Sequence, residues 1–466
     1  MDHRTAGQPG YLAERIAEFA HDLSLDDIPE PVRAVARAHL LDGVGTALAA
    51  TPLDFGRAIH DAARHLGHGT ESHVIGFGTA LPAASAALAN GTLIHGLDFD
   101  DTHIGAIYHA TAPSLAATLA VAEAQEADGA SALVAYVLGL EIGCRIARIG
   151  AGRFHDRGFH PTGIAGAFAA ATVAGRLRRQ SVATMVNALG LCGSQAAGIL
   201  EVRESWLKRF HPGWAAHSGL VASTVAGAGF LGPTSVFEGP RGLFATHLAE
   251  VPDASTLRID DLGSRWMTSE IAIKPYPCCH MTHAFIDGAR EVLAELGAAA
   301  LSPEDIDRIE CPIAARMMRS VTEPTETKIA PQTLYQALFS VQYAVALTLV
   351  RGSVDLAAFY DEPLDDPAVL AVARKVVCPP DEHSDYPAHF TGDVTVHLRD
   401  GRSIHKRIPD SRGSRQWPMS TEDITAKFES NARRALPTDN VNAIVKVVGD
   451  IESCADVSEL LHLTTA

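Results

Sequence analysis

The side chains best suited to chemistry are concentrated between positions 96 and 109, which read GLDFDDTHIGAIYH. The polar members of this stretch are aspartates, a threonine and histidines: Asp98, Asp100, Asp101, Thr102, His103 and His109. Neighbouring carboxylates repel one another, and removing them from bulk water is costly. The stretch is therefore either a solvated loop or a set of groups that do chemistry.

Other segments also carry cationic or proton-transferring side chains, most of them beside proline or glycine. They are RGFHPTGIAG (157–166) with His160, WLKRFHPGWAAHSG (206–219) with Lys208, KPYPCCHMTHAF (274–285) with Lys274, Cys279 and His280, and RMMRS (316–320) with Arg316. The helices between them are nearly free of such groups, a contrast typical of a pocket between rigid elements. In the first segment we expect Thr162 to cap a helix whose N–H groups would attract an anion.

Each segment also has a purely structural interpretation. A single histidine is more often a core or surface residue than a functional one. The side chains of the Lys-Arg-Phe-His run could donate hydrogen bonds to the free carbonyl groups at the end of a helix. The adjacent Cys278 and Cys279 could be buried structure, because thiol reactivity requires a lowered pKa.

Two other kinds of site fit parts of the first stretch. DFDDT (98–102) matches the D-x-D-x-T nucleophile signature of haloacid-dehalogenase-type phosphotransferases, but that signature requires a preceding buried strand, and ALPAASAALANGTL (80–93) favours a helix. A metal site could be built from carboxylates and imidazoles, namely Asp98, Asp100, His103 and His109. Because their spacing does not enforce such a site, we expect no metal.

The elements that would position these groups are mostly helical. From about residue 10 to 260, apolar residues recur at three- and four-residue spacing, as in GYLAERIAEFAHDL, which predicts amphipathic helices. Segments rich in alanine and glycine, such as AFAAATVAG, predict buried helices packed at short interaxial distances.

The pattern changes near residue 265. IDRIECPIA (306–314) predicts a strand, and DVTVHLRDGRSIHKRI (393–408) predicts a hairpin around the type I′ turn pair Asp400-Gly401. Helical patterns lie between these strands and return after residue 415. We therefore predict a mainly α protein with a large all-helical domain, residues 1–268 and 408–466, and an inserted α+β domain, residues 269–407.

Composition limits the class of protein and of partner. The 466 residues are 47% hydrophobic and 20% charged, which is typical of a soluble globular protein. A formal charge of −17 argues against nucleic acid or an anionic membrane as partner, although local cations could bind a small anion. No run of 18 apolar residues occurs, so we expect no membrane span. The scattered cysteines and the absence of an apolar signal region favour a cytoplasmic protein with reduced thiols and no zinc site.

Five segments of the sequence together resemble the MmgE/PrpD family, in order and over nearly the whole chain. They are GLDFDDTH, FHPTGIAGAFAAA, the Lys-x-x-His followed by Ala-Ala at 208–216, KPYPCCHMTHAFIDGA and LYQALFSVQYAVA. The resemblance implies a large helical domain and a smaller α+β lid, usually in a homodimer. It also implies a cofactor-free active site between domain and lid that acts on small di- or tricarboxylates. The reactions in the family include 2-methylcitrate dehydration, cis-aconitate decarboxylation and iminodisuccinate epimerisation.

The resemblance also implies roles for individual residues. We expect catalysis by Lys274, His109, Asp98 and His160, and substrate binding by Thr102, His103, Lys208, Arg316, Cys279 and His280. To act as a base, Lys274 would need a pKa lowered by burial or by neighbouring cations.

Two of these residues depart from the decarboxylase pattern, because Cys279 stands in place of a histidine and Arg316 in place of a tyrosine. The departures favour an epimerase of an iminodisuccinate-type substrate. The alternatives are a 2-methylcitrate-type dehydratase, a cis-aconitate-type decarboxylase, and a carboxylate-binding or scaffold protein without catalysis.

Overall fold

Helices dominate the described part of the chain, which in this computed structural model comprises residues 10–150, 152–202, 204–252, 259–386 and 388–465. Residues 1–9 and 253–258, which the predicted helical domain includes, lie outside the described residues. The described chain forms two compact units, of which the first contains described residues from Met1–Gly96, Ala106–Ile271 and Ser420–Ala466. The second contains Leu97–Gly105 and Ala272–Met419.

The first unit is helical apart from a short hairpin. Its elements before residue 271 are α1 (Leu12–Asp22), α2 (Glu30–Ala50), α3 (Asp54–His65), β1 (Ser72–His73), β2 (Ala80–Leu81), α4 (Ala83–His95), α5 (Thr111–Ala124), α6 (Gly129–Ile149), α7 (Arg153–Asp156), α8 (Pro161–Leu177), α9 (Val182–Cys192), α10 (Leu207–Gly227) and α11 (Leu243–His247). Because α4 precedes the DFDDT stretch, the buried strand that a haloacid-dehalogenase-type site requires is absent from residues 83–95.

Helix α10 packs closely against both α4 and α8. A Cβ atom at Gly213 would lie 2.2 Å from the carbonyl oxygen of Leu88 in α4, and one at Gly219 would lie 2.5 Å from Cβ of Ala170 in α8. Glycine therefore allows the close approach that the small-residue pattern predicted. This packing brings together the last residue of α4, the first residues of α8 and the first turns of α10.

One described helix, α6, is long and apolar enough to cross a membrane by length and composition. The protein itself buries 89% of the apolar window of that helix. Helix α6 packs against α8 and α5 in the first unit. Its apolar surface thus belongs to the helical core.

The second unit combines a sheet with helices. Its elements are β3 (Thr102–His103), β4 (Ile271–Ala272, at the passage from the first unit), α12 (His283–Leu296), β5 (Ile306–Glu310), α13 (Ala315–Val321), α14 (Thr325–Ile329), α15 (Leu334–Leu338), α16 (Val341–Arg351), α17 (Leu356–Tyr360), α18 (Pro367–Ala373), β6 (Val376–Val377), β7 (Gly392–Leu398) and β8 (Ser403–Ile408). The sheet has the order β6-β5-β7-β8, parallel between β5 and β6 and otherwise antiparallel. Helix α12 packs on β7, whose alternate residues Val394 and Val396 are buried.

The predicted hairpin is confirmed, but its predicted turn type is wrong. Gly401 has a positive φ of 92°, whereas Asp400 is not among the described residues with positive φ, so a type I′ turn is excluded. The N–H of Gly401 donates to Leu398 O at 3.1 Å, and the N–H of Leu398 donates to Arg402 O at 2.8 Å. The loop is therefore a longer connection that ends in a left-handed glycine.

The chain returns to the first unit with α19 (Thr421–Ala432), α20 (Thr438–Gly449) and α21 (Ser458–Leu463). Helix α19 packs on α2, where Lys427 Nζ lies 2.7 Å from Oδ1 of Asp42 in a buried ion pair. The predicted fold class, a mainly α protein with a smaller α+β part, is confirmed. The predicted boundaries at 268 and 408 stay a prediction. In the structure the second unit starts after Ile271, ends before Ser420, and also includes Leu97–Gly105.

Candidate active site

Lys274 and Asp98 form a buried ion pair in the second unit. The Lys274 Nζ donates to Oδ1 of Asp98 at 2.7 Å and to the backbone oxygen of Asp98 at 2.8 Å. The side chains are only 1% and 10% exposed, respectively. The ammonium has three N–H donors and makes these two hydrogen bonds to described residues. Its third N–H can therefore donate to a ligand.

The backbone of Asp98 has the left-handed conformation, with φ of 51°. Aspartate enters this region more readily than most residues, at a cost on the order of 1–2 kcal/mol. Such strain persists where surrounding contacts hold it, and it is frequent at functional sites. The two hydrogen bonds from Lys274 are contacts of this kind.

The surroundings of Lys274 raise its pKa. Burial alone would lower the pKa, but the charges of Asp98 and Asp100, the hydrogen bond to Asp98 and the nearby Cys279 outweigh burial. Lys274 is therefore protonated at neutral pH. The sequence suggested that neighbouring cations would lower the pKa, whereas the neighbours are carboxylates. In this state Lys274 can donate a proton or stabilise developing negative charge.

The chain immediately before Lys274 is held by the loop at 411–413. The N–H of Ile273 donates to Gly413 O at 3.1 Å. Gly413 has φ of 90°, and a Cβ atom there would lie 1.9 Å from the carbonyl oxygen of Ile273. Only glycine fits this close approach, so the loop fixes the backbone from which the lysine side chain extends.

Asp287 in α12 ties the same loop to the chain after Lys274. Its Oδ1 accepts from the Tyr276 hydroxyl at 2.7 Å, and its Oδ2 accepts from the backbone N–H of Arg412 at 2.9 Å. Burial raises the pKa of Asp287, although these two hydrogen bonds oppose the rise. The lysine backbone is thus braced on both sides by a buried polar network.

Two buried histidines follow Lys274 in the same segment. His280 Nε2 lies 3.0 Å from Ser411 Oγ, and His283 Nε2 lies 3.2 Å from the carbonyl oxygen of Cys278, to which it must donate. Burial and the charge of Lys274 lower the pKa of His280 to about 3, and burial with these neighbours lowers that of His283 well below its usual value. Both rings are neutral at neutral pH. The Nδ1 atoms of both have no hydrogen-bond partner among the described residues.

The remaining predicted residues of this unit differ in exposure. Thr102 and His103 form β3 and are buried, and Cys279 is buried with its N–H donating to Leu338 O at 2.9 Å. Arg316 is exposed in the first turn of α13, where its guanidinium lies 5.8 Å from the centre of the Tyr386 ring. The structure does not bury Arg316 with the lysine and the aspartates.

The first unit holds a second group of chemically capable side chains, buried histidines beside a lysine. They are His95 at the end of α4, His109 before α5, His160 at the start of α8, and Lys208 and His211 in α10. His160 Nδ1 lies 3.1 Å from His211 Nδ1. Only one proton fits between two ring nitrogens, so one ring donates from Nδ1 and the other accepts there.

The imidazoles of His160 and His211 are poor bases. Burial and the charge of Lys208 lower the pKa of His211 to about 4. Burial, Lys208 and the other imidazoles lower the pKa of His160 well below its usual value. Both rings are neutral at neutral pH and can donate or accept hydrogen bonds without carrying charge.

His95 was not among the predicted site residues, yet in the first unit it lies beside two histidines that were. Its ring centre is 4.4 Å from that of His109 and 5.7 Å from that of His160. The N–H of His109 donates to Thr162 Oγ1 at 3.1 Å. The prediction that Thr162 caps α8 is wrong. The N-terminal cap residue of α8 is His160, and the side chain of His160 makes no cap hydrogen bond.

Within the described residues of the first unit, two histidine groups could hold a metal by distance. The ring nitrogens of His95, His109 and His160 lie within 4.8 Å of one another, and so do ligand atoms of the more exposed trio His73, Glu123 and His462. Nitrogen and carboxylate ligands suit zinc. At the buried trio, the charge of Lys208 that lowers the pKa of His160 would also repel a metal ion.

Matches to family models cover most of the chain. Residues 14–254 match the MmgE/PrpD N-terminal domain, and residues 276–452 match the MmgE/PrpD C-terminal domain. The chain belongs to the MmgE/PrpD family. The family resemblance drawn from the sequence is thereby confirmed.

Several curated proteins are similar to this MmgE/PrpD chain over almost their full length. The cis-aconitate decarboxylase-like protein oryM of Aspergillus oryzae is 27% identical over 476 residues, covering 97% of both proteins. The cis-aconitate decarboxylase of Aspergillus terreus is 27% identical over 472 residues, covering 97% of this chain and 95% of the relative. The cis-aconitate decarboxylase of Mus musculus is 26% identical over 469 residues, covering 97% of this chain and 93% of the relative.

Proposed function

We propose that this MmgE/PrpD protein is an enzyme that transfers a proton at a carbon next to a carboxylate of a small di- or tricarboxylate. The observation that carries the proposal is Lys274, a buried ammonium with a raised pKa and a third N–H that no described residue takes. A protonated lysine in a buried site stabilises the enolate-type charge that forms when such a carbon loses a proton or carbon dioxide. Named carboxylate enzymes among the relatives support the same class.

Asp98 and Lys274 suit proton removal and return on one carbon. Their contact at 2.7 Å joins a carboxylate, which can accept a proton, to an ammonium, which can donate one. Epimerisation needs no leaving group, but it needs a proton-transferring group on each face of the carbon, and two groups in direct contact serve one face. We propose epimerisation of an iminodisuccinate-type substrate as the reaction, with the Asp98–Lys274 pair on one face of the carbon, in line with Cys279 and Arg316, the two departures noted in the sequence.

Decarboxylation of a cis-aconitate-type substrate is the second candidate. Three relatives with that activity in their names are 26–27% identical over 97% of this chain. The same lysine would then protonate the carbanion left by carbon dioxide. The two candidates share the role of Lys274 and differ in whether a carbon–carbon bond breaks.

His160 and His211 of the first unit would bind a substrate carboxylate while remaining uncharged. His160 and His211 stay neutral at neutral pH, so they can donate hydrogen bonds to a carboxylate while Lys208 supplies positive charge. A cytoplasmic location, which rests on the scattered cysteines, remains part of the proposal.

Proton NMR in D₂O tests the proposed reaction. The full-length protein is incubated in turn with iminodisuccinate, cis-aconitate, citrate and 2-methylcitrate. Deuterium entering an α carbon, together with the second stereoisomer and no vinyl signal, is the expected result with iminodisuccinate. Loss of the carboxyl group from cis-aconitate would show that the reaction is decarboxylation, the second candidate, and not epimerisation. New vinyl signals from a citrate would show a dehydratase, and no change with any compound would overturn the proposal.

A further inference from the structure

Three side chains with metal-binding atoms meet in the first unit, and none of them belongs to the candidate active site. They are His73 in β1, Glu123 in the last turn of α5 and His462 in α21, here called the His73 site. One ligand atom from each, two imidazole nitrogens and a carboxylate oxygen, lie within 4.8 Å of one another. Because the three positions are far apart in the sequence, only folding brings these atoms together.

The carboxylate of Glu123 is held in place by the backbone of His73. Its Oε2 accepts from the backbone N–H of His73 at 2.7 Å, and its Oε1 lies 2.5 Å from Nδ1 of the same histidine. The Glu123 side chain is only 8% exposed. One oxygen is thus fixed by the backbone and the other faces the imidazole, so the two ligands are positioned before any ion binds.

The strand that carries His73 is held in turn by the buried Asn90 of α4. The Nδ2 atom of Asn90 donates to the carbonyl oxygen of His73 at 3.1 Å, and its Oδ1 accepts from the N–H of Ile75 at 2.9 Å. Hydrogen bonds therefore fix both the N–H and the carbonyl group of residue 73. The imidazole extends from a backbone that cannot shift without breaking them.

His462 reaches the same place from the last helix of the chain. Leu461 beside it is buried, and Nδ2 of Asn440 donates to the carbonyl oxygens of Leu463 and Thr465, at 3.0 Å each. The ring of His462 is exposed, and among the described residues its nitrogens make no hydrogen bond. The backbone at this position is anchored while the ring is able to rotate towards a ligand.

We propose that the His73 site binds one zinc ion and thereby ties α21 to α5 and β1. Two imidazoles and one carboxylate are the protein ligands of many zinc sites whose fourth position holds water, and the exposure of His462 gives water access. Magnesium and calcium prefer ligand sets made of oxygen alone. The earlier expectation of no metal rested on the cysteines and on residues 98–109, none of which belongs to this site.

The two imidazoles are spaced as a tetrahedral zinc ion requires. Zinc binds imidazole nitrogen at about 2.0–2.1 Å, which places the ring centres of two histidines on one ion about 5 Å apart. The ring centres of His73 and His462 are 5.0 Å apart, with the rings at 79°. Zinc takes the place of the proton between His73 Nδ1 and Glu123 Oε1, and these atoms move from 2.5 Å to roughly 3.3 Å apart.

The charge of the protein also favours a cation at this place. The formal charge of −17 raises the concentration of cations near the surface, and Glu123 supplies a negative charge at the site itself. An ion pair between His73 and Glu123 alone would not require His462. The third ligand therefore distinguishes a metal site from a simple ion pair, and it is the residue to change in a test.

Zinc titration of the full-length protein, without a histidine tag, tests the His73 site. The protein is treated with EDTA, dialysed and titrated with zinc chloride in competition with a chromophoric chelator. The wild type should bind one zinc ion per chain, and so should His65→Ala, which removes an exposed imidazole outside the site. His462→Ala and Glu123→Gln should bind zinc at least about 10-fold more weakly. Circular dichroism confirms that each variant is folded.

Hydrogen exchange measured by mass spectrometry tests the link to α21. Zinc should slow amide exchange in residues 458–463 of the wild type and of His65→Ala, but not of His462→Ala, and magnesium at the same concentration should have no effect. A wild-type protein that binds no zinc, or a His462→Ala variant that binds it equally well, would overturn the proposal. Unchanged exchange in α21 with zinc, or equal slowing by magnesium, would overturn it as well.

Discussion

The Nζ atom of Lys274 lies 2.7 Å from Oδ1 of Asp98 and 2.8 Å from the backbone oxygen of the same residue. One ammonium therefore holds both the charge and the left-handed backbone of residue 98, where φ is 51°. The pair comes from sequence positions 176 residues apart and is almost completely buried. A buried pair of this kind is costly to form and is best explained by use of its protons.

Replacing Asp98 with asparagine should shift the pH dependence of the reaction. After burial, which lowers it, the charge of Asp98 is the largest influence on the pKa of Lys274, and that charge raises it. If Lys274 acts in its protonated form, kcat/KM declines as pH rises through this pKa. Asp98→Asn lowers the pKa of Lys274, so the alkaline decline should begin at a lower pH than in the wild type. Asp400→Asn, in an exposed turn, serves as the control. If kcat/KM declined at the same alkaline pH in both variants, the role of Asp98 would be contradicted.

His211 should make the protein less stable in mild acid. The unfolded chain protonates this imidazole near its ordinary pKa of 6.5, whereas the folded chain does so only near 4. Its contribution to the free energy of unfolding is therefore lost as pH falls from 6.5 towards 4, and it amounts to about 3 kcal/mol. Urea unfolding of His211→Asn at pH 7 and pH 5 should show a smaller difference than the wild type. His383→Asn, at an exposed position, should behave like the wild type; equal acid sensitivity of both variants would rule out this linkage.

Gly413 should tolerate a methyl group far less well than Gly401. Both have φ near 90°, so alanine costs about 1–2 kcal/mol at either position. At Gly413 the added Cβ would also lie 1.9 Å from the carbonyl oxygen of Ile273, whereas nothing lies within 4 Å at Gly401. Gly413→Ala should lose about 1–3 kcal/mol more stability and should also lower kcat, because the backbone before Lys274 must shift. Equal unfolding midpoints and equal kcat for the two variants would contradict this.

The sequence predicted the fold class and most of the elements because their patterns are local. The small-residue pattern anticipated the close packing of α10, and alternation located the hairpin at 392–408. The exact turn of that hairpin was wrong, since Asp400 and Gly401 suit several turn types and the closing hydrogen bonds decide among them. The helical pattern of TLYQALFSVQYAVALTLVRG (333–352), one of those between the strands, is divided into α15 and α16, and Ser340 Oγ accepts from the Tyr343 N–H at the start of α16.

The candidate site was predictable as a set of residues but not as an arrangement. Lys274 and Asp98 stood out in separate segments, yet the sequence could not show that the lysine lies among carboxylates, and so it gave the wrong direction for the pKa of Lys274. His95 lies one turn before Asp98 and was overlooked because a single histidine at a helix end has an ordinary structural explanation. The partners of His211 likewise depend on the packing of α8 and α10.

The central claim is that Lys274 handles the proton of the reacting carbon. The decisive measurement is the rate of deuterium exchange at the α carbon of the substrate, by proton NMR in D₂O, for Lys274→Met and for the control Lys446→Met at an exposed position of α20. Lys274→Met combined with Asp98→Asn removes both charges and guards against a fold disturbed by an unpaired carboxylate. We expect Lys446→Met to exchange at the wild-type rate and both Lys274 variants to be slower by at least about 100-fold. Folded Lys274 variants that exchange at the wild-type rate would contradict the account.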